Sequence, residues 1–326
     1  MIVKPSTSLI TLDIPLLRLA SVSMLLTTLA FSRLATTISI KISKTKPLLP
    51  QEFVPWAEEP QENDIFMPEK LISLYGHPLY DTLTKNQKIE LGKHEMVQVM
   101  YSYGWSESLA CLFFNRHLLT LQPDNVEYRF LIRELIEEFQ HQDMFAEAVK
   151  KLNGKPIPPS RAHRFFGNFT VKYMPAPTVF MSVLAVEHMA DVYGKLIRKD
   201  KNVYNVLRKV SELHHIEEGR HIYYTELWLK RFTEKAGFLK RSWYSLIVMF
   251  NILFMRTLYV KTEIFERIGV ENPKKYQKAA SKNLSKRFGP LCLDETIKFV
   301  TSFNGFNWLT RPIWRLFVKR DDRKNN

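Results

Sequence analysis

At 326 residues, 45% of them apolar and 25% charged, the chain has the make-up of a folded protein with a sizeable core. Its 11 glycines argue against a sheet-rich fold, and two cysteines, Cys111 and Cys292, are too few for a disulfide framework or a cysteine-based metal site. The net charge of +14 comes without a nucleic-acid-binding motif, so it points to solubility, an acidic partner or an anionic lipid surface rather than to nucleic acid.

Residues 1–46 hold six basic residues, one acid (Asp13) and the apolar run Ile14–Phe31, which contains Arg18. That run falls short of the roughly 20 apolar residues of a membrane span. It also lacks the charge-first layout and cleavage site of a signal peptide. A transit peptide, a membrane-surface helix and an ordinary packed helix stay open as readings. Residues 47–326 are expected as one domain, and 43–80, with prolines at 47, 50, 55, 60, 68 and 78, as an extended segment wrapped over it.

Helical signals then dominate. Thr84 with Gln87 reads as a capping box opening a helix to about Leu121, and Pro123-Asp124-Asn125 starts a second that stops at Gly154. A crossover marked by Pro156, Pro158, Pro159, Pro175 and Pro177 leads to a third helix, about Thr178 to Arg198, and a fourth, about Asn202 to Lys235. Helix, helix, long connection, helix, helix is the order of a four-helix bundle with one crossover. The fold class expected is all-α, a ferritin-like four-helix bundle with additional N- and C-terminal helices. Within 238–318 the apolar stretch Tyr244–Phe254 suits a buried helix better than a membrane span. A basic run follows, Lys274, Lys275, Lys278, Lys282, Lys286 and Arg287, with no acid until Asp294.

The chemistry lies in spacing. Glu-x-x-His puts both side chains on one helix face, and it occurs as Glu138–His141, Glu218–His221 and Glu212–His215. The face decides among them. Val210, His214, Glu218, His221, Thr225 and Trp228 follow 3- and 4-residue steps along the fourth helix, whereas Glu212 and His215 align with Arg208 and Gly219 on a more polar side. Glu107 sits on the stripe Met100, Gly104, Cys111, Phe114, and Glu187 on Phe180, Leu184, Asp191. Four buried carboxylates repel one another and cost several kcal/mol each, which two divalent ions would offset; imidazoles add ligands without charge. Oxygen and nitrogen donors without thiolate favour iron or manganese. The competing reading is a set of buried acids paired with Arg133, Arg220 or lysines.

With these residues the chain resembles the p-aminobenzoate N-oxygenase (AurF-like) diiron family over roughly 65–315, including Leu74–Tyr80 before the first helix. That family carries an extra histidine one turn before its last Glu-x-x-His, where His214 stands. The resemblance implies the ligand set Glu107, Glu138, His141, Glu187, His214, Glu218 and His221. It also implies two iron ions, dioxygen as cosubstrate and an external electron donor. The function expected is oxygenation of a small organic substrate such as an aryl amine, free or on an acidic carrier protein. A diiron acyl desaturase or hydroxylase and a non-enzymatic ferritin-like iron-binding protein are the alternatives. The expected setting is cytoplasmic with peripheral membrane contact open, and the expected partners are a reductase and, in one reading, a second copy of the chain. Glu137, Glu217 and Asp191 are candidate partners of ligand histidines, and Tyr101, Tyr103, Phe114, Phe139 and Met189 are candidate pocket residues.

Overall fold

The computed structural model describes residues 48–317, helical with no strand among them beyond one parallel bridge, Ile65 to Val203. The readings of 1–46 therefore lie outside the described residues. In chain order the longer helices are α1 (Lys85–Leu118), α2 (Val126–Lys151), α3 (Arg161–Tyr173), α4 (Ala176–Lys199) and α5 (Asn205–Thr233). Then come α6 (Phe238–Tyr259), α7 (Thr262–Arg267), α8 (Pro273–Cys292), α9 (Asp294–Ser302) and α10 (Thr310–Phe317).

Local sequence sets the starts. The Gln87 N–H donates to Thr84 Oγ1 (3.2 Å) while the Thr84 N–H donates to Gln87 Oε1 (3.0 Å), closing the capping box of α1. Asn125 accepts the Glu127 N–H (2.9 Å) at the head of α2. Proline in the first turn of α4 removes a donor that has no helical partner there.

The bundle is two helix pairs. α1 packs along α2 and α4 along α5, and contacts of α2 with α5 and of α1 with α4 close the core. Gly194 lets α4 approach α5: an added Cβ would stand 3.4 Å from the Ser211 carbonyl oxygen. The crossover holds more structure than its prolines suggest. They cluster at its two ends, and the proline-free stretch between them forms α3, opened by Ser160 accepting the His163 N–H (3.3 Å).

The wrapped segment is tied to the domain by backbone and by one arginine. Ile65 donates to Asn202 O and Tyr204 donates to Ile65 O, each at 2.9 Å. Arg287 donates to the carbonyls of Ile72 and Tyr75, each at 3.0 Å, so the last member of the basic run clamps this segment. Lys274, Lys275, Lys278, Lys282 and Lys286 remain exposed.

The apolar stretch at 244–254 is part of a longer helix than expected, and only one of its faces is buried. α6 packs on α4 and α1 through Val248, Ile252 and Met255, while Trp243 and Phe250 face outward. By length and composition Phe238–Arg267 could cross a membrane, with mean hydropathy 1.4, but half of that window is buried inside the protein. The buried helix expected there is thus buried on one face.

Candidate metal centre

The seven residues lie at mid-bundle, on four different helices: Glu107 on α1, Glu138 and His141 on α2, Glu187 on α4, and His214, Glu218 and His221 on α5. All are 0–6% exposed. Six of them form two groups, each with ligand atoms within 4.8 Å of one another: Glu107, His141, His214 and Glu218, and Glu138, Glu218 and His221. Glu218 belongs to both. His214 Nε2 stands 3.3 Å from Glu107 Oε1 and 3.3 Å from Glu218 Oε1, and His141 Nδ1 stands 3.4 Å from Glu218 Oε1. His221 Nδ1 lies 3.3 Å from both Glu138 Oε1 and Glu218 Oε1. Donors about 2.1 Å from a shared ion and cis to each other stand about 3 Å apart, so these separations suit coordination with small adjustment. Glu187 adjoins them, close beside Glu218.

Six unmet polar atoms converge here. Glu107 Oε2, Glu138 Oε2, both Glu218 oxygens, His141 Nδ1 and His221 Nδ1 are buried without a hydrogen-bond partner. Buried polar atoms are nearly always paired, and six orphans facing one another mark space for cations. The nearby Cys111 thiol is held protonated: burial first, then the charges of Glu138 and Glu107, push it up to about 12.

Without metal the cluster balances itself with protons. Burial raises Glu107 to about 7, and burial followed by the charges of Glu218 and Glu138 raises Glu187 well above the usual carboxylate range. Burial opposes charge on the histidines too, but the surrounding carboxylates prevail. Glu218 and Glu107 hold His214 at about 8, and His141 and His221 are held well above their ordinary value. Burial likewise works against ionising Glu138 and Glu218, whose histidine partners nonetheless pull both below the usual range.

A second layer orients the imidazoles. His141 Nε2–H donates to Glu217 Oε2 (2.8 Å), and His221 Nε2 lies 3.0 Å from Glu137 Oε2 and 3.1 Å from Glu134 Oε2. With each Nε2–H so committed, both Nδ1 atoms face the cluster, available to an ion once their protons leave. Two carboxylates share the His221 N–H, and they differ. Burial leaves Glu134 well above the usual range, whereas at Glu137 burial is overcome by His221 and Arg220, which bring it to about 2. Arg220 donates to Glu137 at 2.9 Å and Arg133 at 3.2 Å. Glu137 and Glu217, undecided from sequence, thus face inward. Replacing Glu217 by alanine is expected to weaken metal binding about 10–100-fold with the helix content unchanged, read by competition with a chelator.

Sequence periodicity puts Glu134 on the same inward stripe as Glu138, one turn before it, but gives it no role; its place beside His221 comes from the fold. Asp191 was misassigned: it bonds His215 Nδ1 and Lys195 Nζ (2.6 Å), not a histidine of the cluster. Glu212 pairs with Lys209 at the surface (2.8 Å), so its motif is incidental. His188 contacts Thr296 and Glu226, away from the cluster.

A cavity of about 60 Å³ between α1, α3, α4 and α6 reaches Glu187, with walls that include Trp105, Leu109, Phe166, Val183, Phe250 and Phe254. None of Tyr101, Tyr103, Phe114, Phe139 and Met189 lines it. Phe139 points outward, and Tyr103 instead stacks on His214 (6.0 Å, 10°). Gly167 brings α3 close over α1 at this wall, since an added Cβ would fall 2.6 Å from a Leu109 methyl.

Comparison with known proteins gives the family. The family model for p-aminobenzoate N-oxygenase AurF matches residues 37–303. An uncharacterized protein of Mycobacterium tuberculosis strain CDC 1551 is 27% identical over 186 residues, 56% of this chain and 54% of its own length. An uncharacterized protein of Mycobacterium bovis is 27% identical over 174 residues, 52% of this chain and 51% of its own. The match thus spans about half the length of these relatives. By the extent of the family match, the chain belongs to the p-aminobenzoate N-oxygenase AurF family.

Proposed function

We propose that this chain is a non-haem diiron oxygenase that oxidises a neutral, largely apolar organic substrate. The observation that carries the reading is the convergence of unpartnered carboxylate oxygens and imidazole nitrogens from four helices. In this reading Glu107, Glu138, His141, Glu187, His214, Glu218 and His221 would hold the two ions. Bound iron would supply dioxygen activation with electrons from an external donor. The residues do the rest: Glu217 and Glu137 fix the imidazole rings, and apolar walls keep water from the cavity. The exposed lysines of α8 suit an acidic donor or carrier protein.

Substrate character follows from the walls. No lysine or arginine is among the residues lining the cavity, so a substrate carboxylate would be buried unpaired there. A ring needs more room than 60 Å³, since cavities that take benzene measure about 150 Å³. Entry therefore requires Phe166 and Phe250 to part. The apolar lining equally fits an acyl chain, which keeps the diiron hydroxylase or desaturase reading as second.

Dioxygen uptake by reduced, iron-loaded protein tests this. Uptake is expected to rise at least about tenfold more with a neutral aryl amine or an acyl ester than with the corresponding charged carboxylate. Uptake that no organic compound stimulates would contradict the oxygenase reading and favour iron storage.

A further inference from the structure

The cavity opens on an unusual surface. On α3, Phe165, Phe166, Phe169 and Tyr173 form a chain of ring contacts, with Phe165 65% and Tyr173 72% exposed. The chain continues onto α6, where Phe166 meets Phe250 at 6.1 Å; both rings line the cavity and both are exposed. Further along α6, Leu239 is 76% exposed, and Phe238 stacks on Trp308 (75% exposed) just before α10. α10 is pinned to α6 by Trp314 donating to Ser245 Oγ (2.9 Å). Exposed rings thus stand on α3, on α6 and on the turn before α10, with α6 linking the three elements.

Its charge is one-sided. No Asp or Glu occurs in 148–186, 235–262 or 296–320, the stretches containing α3, α6 and α10. They total 92 residues, in which the chain average of 33 acids in 326 would place about nine. The bases Arg161, Arg164, Lys172, Lys240, Arg311 and Arg315 are exposed there. The other exposed apolar stripe, Ile132, Ile136 and Phe139 on α2, lies among both signs, Arg129, Asp143 and Glu147. A protein partner suits that mixed stripe. Bulky aromatics with basic residues and no acids suit an anionic bilayer.

We propose that the α3–α6–α10 face docks on an anionic membrane surface and that the cavity beside Glu187 receives its substrate from the lipid phase. The docking stands by itself; the substrate route rests on the oxygenase reading. α6 lies along the interface rather than across it, because half of its apolar window is already packed inside the protein. A substrate entering between Phe166 and Phe250 passes from acyl chains to an apolar slot without crossing water, and the absence of cationic lining matches a neutral lipid-soluble compound.

Vesicle flotation of the full chain tests the docking. Wild type is expected to bind phosphatidylcholine vesicles containing phosphatidylserine at least about tenfold more tightly than phosphatidylcholine alone. The triple variant Phe165→Glu, Tyr173→Glu, Leu239→Glu should lose at least about tenfold in binding while keeping its helix content and iron. Arg161→Gln, Lys172→Gln, Lys240→Gln should abolish the anionic preference. Undiminished vesicle binding by the aromatic variant would place attachment elsewhere and overturn the proposal. So would a dimer that this variant dissociates with no change in vesicle binding, since the face would then join two copies. Iron content is measured on the same samples: iron-free protein that still floats sinks the diiron reading alone, and iron-loaded protein that never floats sinks the docking alone.

Discussion

Glu218→Ala, purified from iron-supplied cells, is expected to hold less than about half an iron ion per chain, where wild type holds about two. Glu218 is the residue common to the two groups built from the seven residues, is fully buried, and has both oxygens unpartnered. Its neighbours His214, His221 and His141 all approach its Oε1 within 3.4 Å, so its loss removes the point at which the two groups meet. Breaking one partner out of a buried charge cluster commonly costs about 3–5 kcal/mol. Here part of that cost is relieved, because burial and then Glu218 hold Glu187 protonated. The metal-free variant should therefore fold with a melting temperature near that of metal-free wild type, while metal loading is lost. Glu212→Ala, which alters the surface motif, should keep both ions. Equal iron in the Glu218 and Glu212 variants would remove the basis for the assignment.

The second large effect is on pH. His141, His214, His221 and Glu187 carry protons near neutrality without metal, and Glu107 titrates at about 7. Ion binding must displace these protons, so the overall binding constant should rise steeply as pH increases through neutrality. The same protons stabilise the metal-free fold at low pH. For His214, whose folded value is about 8, that stability is complete below about 6.5 and is lost as pH rises through 8. For Glu107 it is complete below about 4.5 and lost through 7. Anaerobic melting with and without Fe(II) should thus show a metal-induced gain that widens from pH 6 to 8.5. A constant or narrowing gain would mean that the ions bind elsewhere.

The sequence carried the bundle and the inward placement of the candidate carboxylates because both are periodic properties. Thr84–Gln87 and Asn125 mark helix starts, and 3- and 4-residue steps put Glu107, Glu138, Glu187 and Glu218 on inward stripes. Which inward side chains meet across two helices depends on register, which period does not encode. Along α4 and α5 Glu187 meets Glu218, Asp191 meets His215 and Gly194 meets Ser211, so the two numbers sum to about 405 throughout, the mark of an antiparallel pair. That register sends Asp191 to His215 and keeps it from His214, already held between Glu107 and Glu218. Glu134 was hidden by the same limit, since only the fold brings it to His221. α3 was hidden by its flanking prolines, and with it the cavity wall and the aromatic face.

Anomalous diffraction at the iron edge from crystals grown with Fe(II) tests the central claim most directly. The account predicts two peaks per chain, about 3.5–4 Å apart, between Glu138 and Glu218 and within bonding distance of His141, His214 and His221. A single ion held by surface carboxylates, or none in the bundle with the seven side chains paired to lysine or arginine, would contradict it.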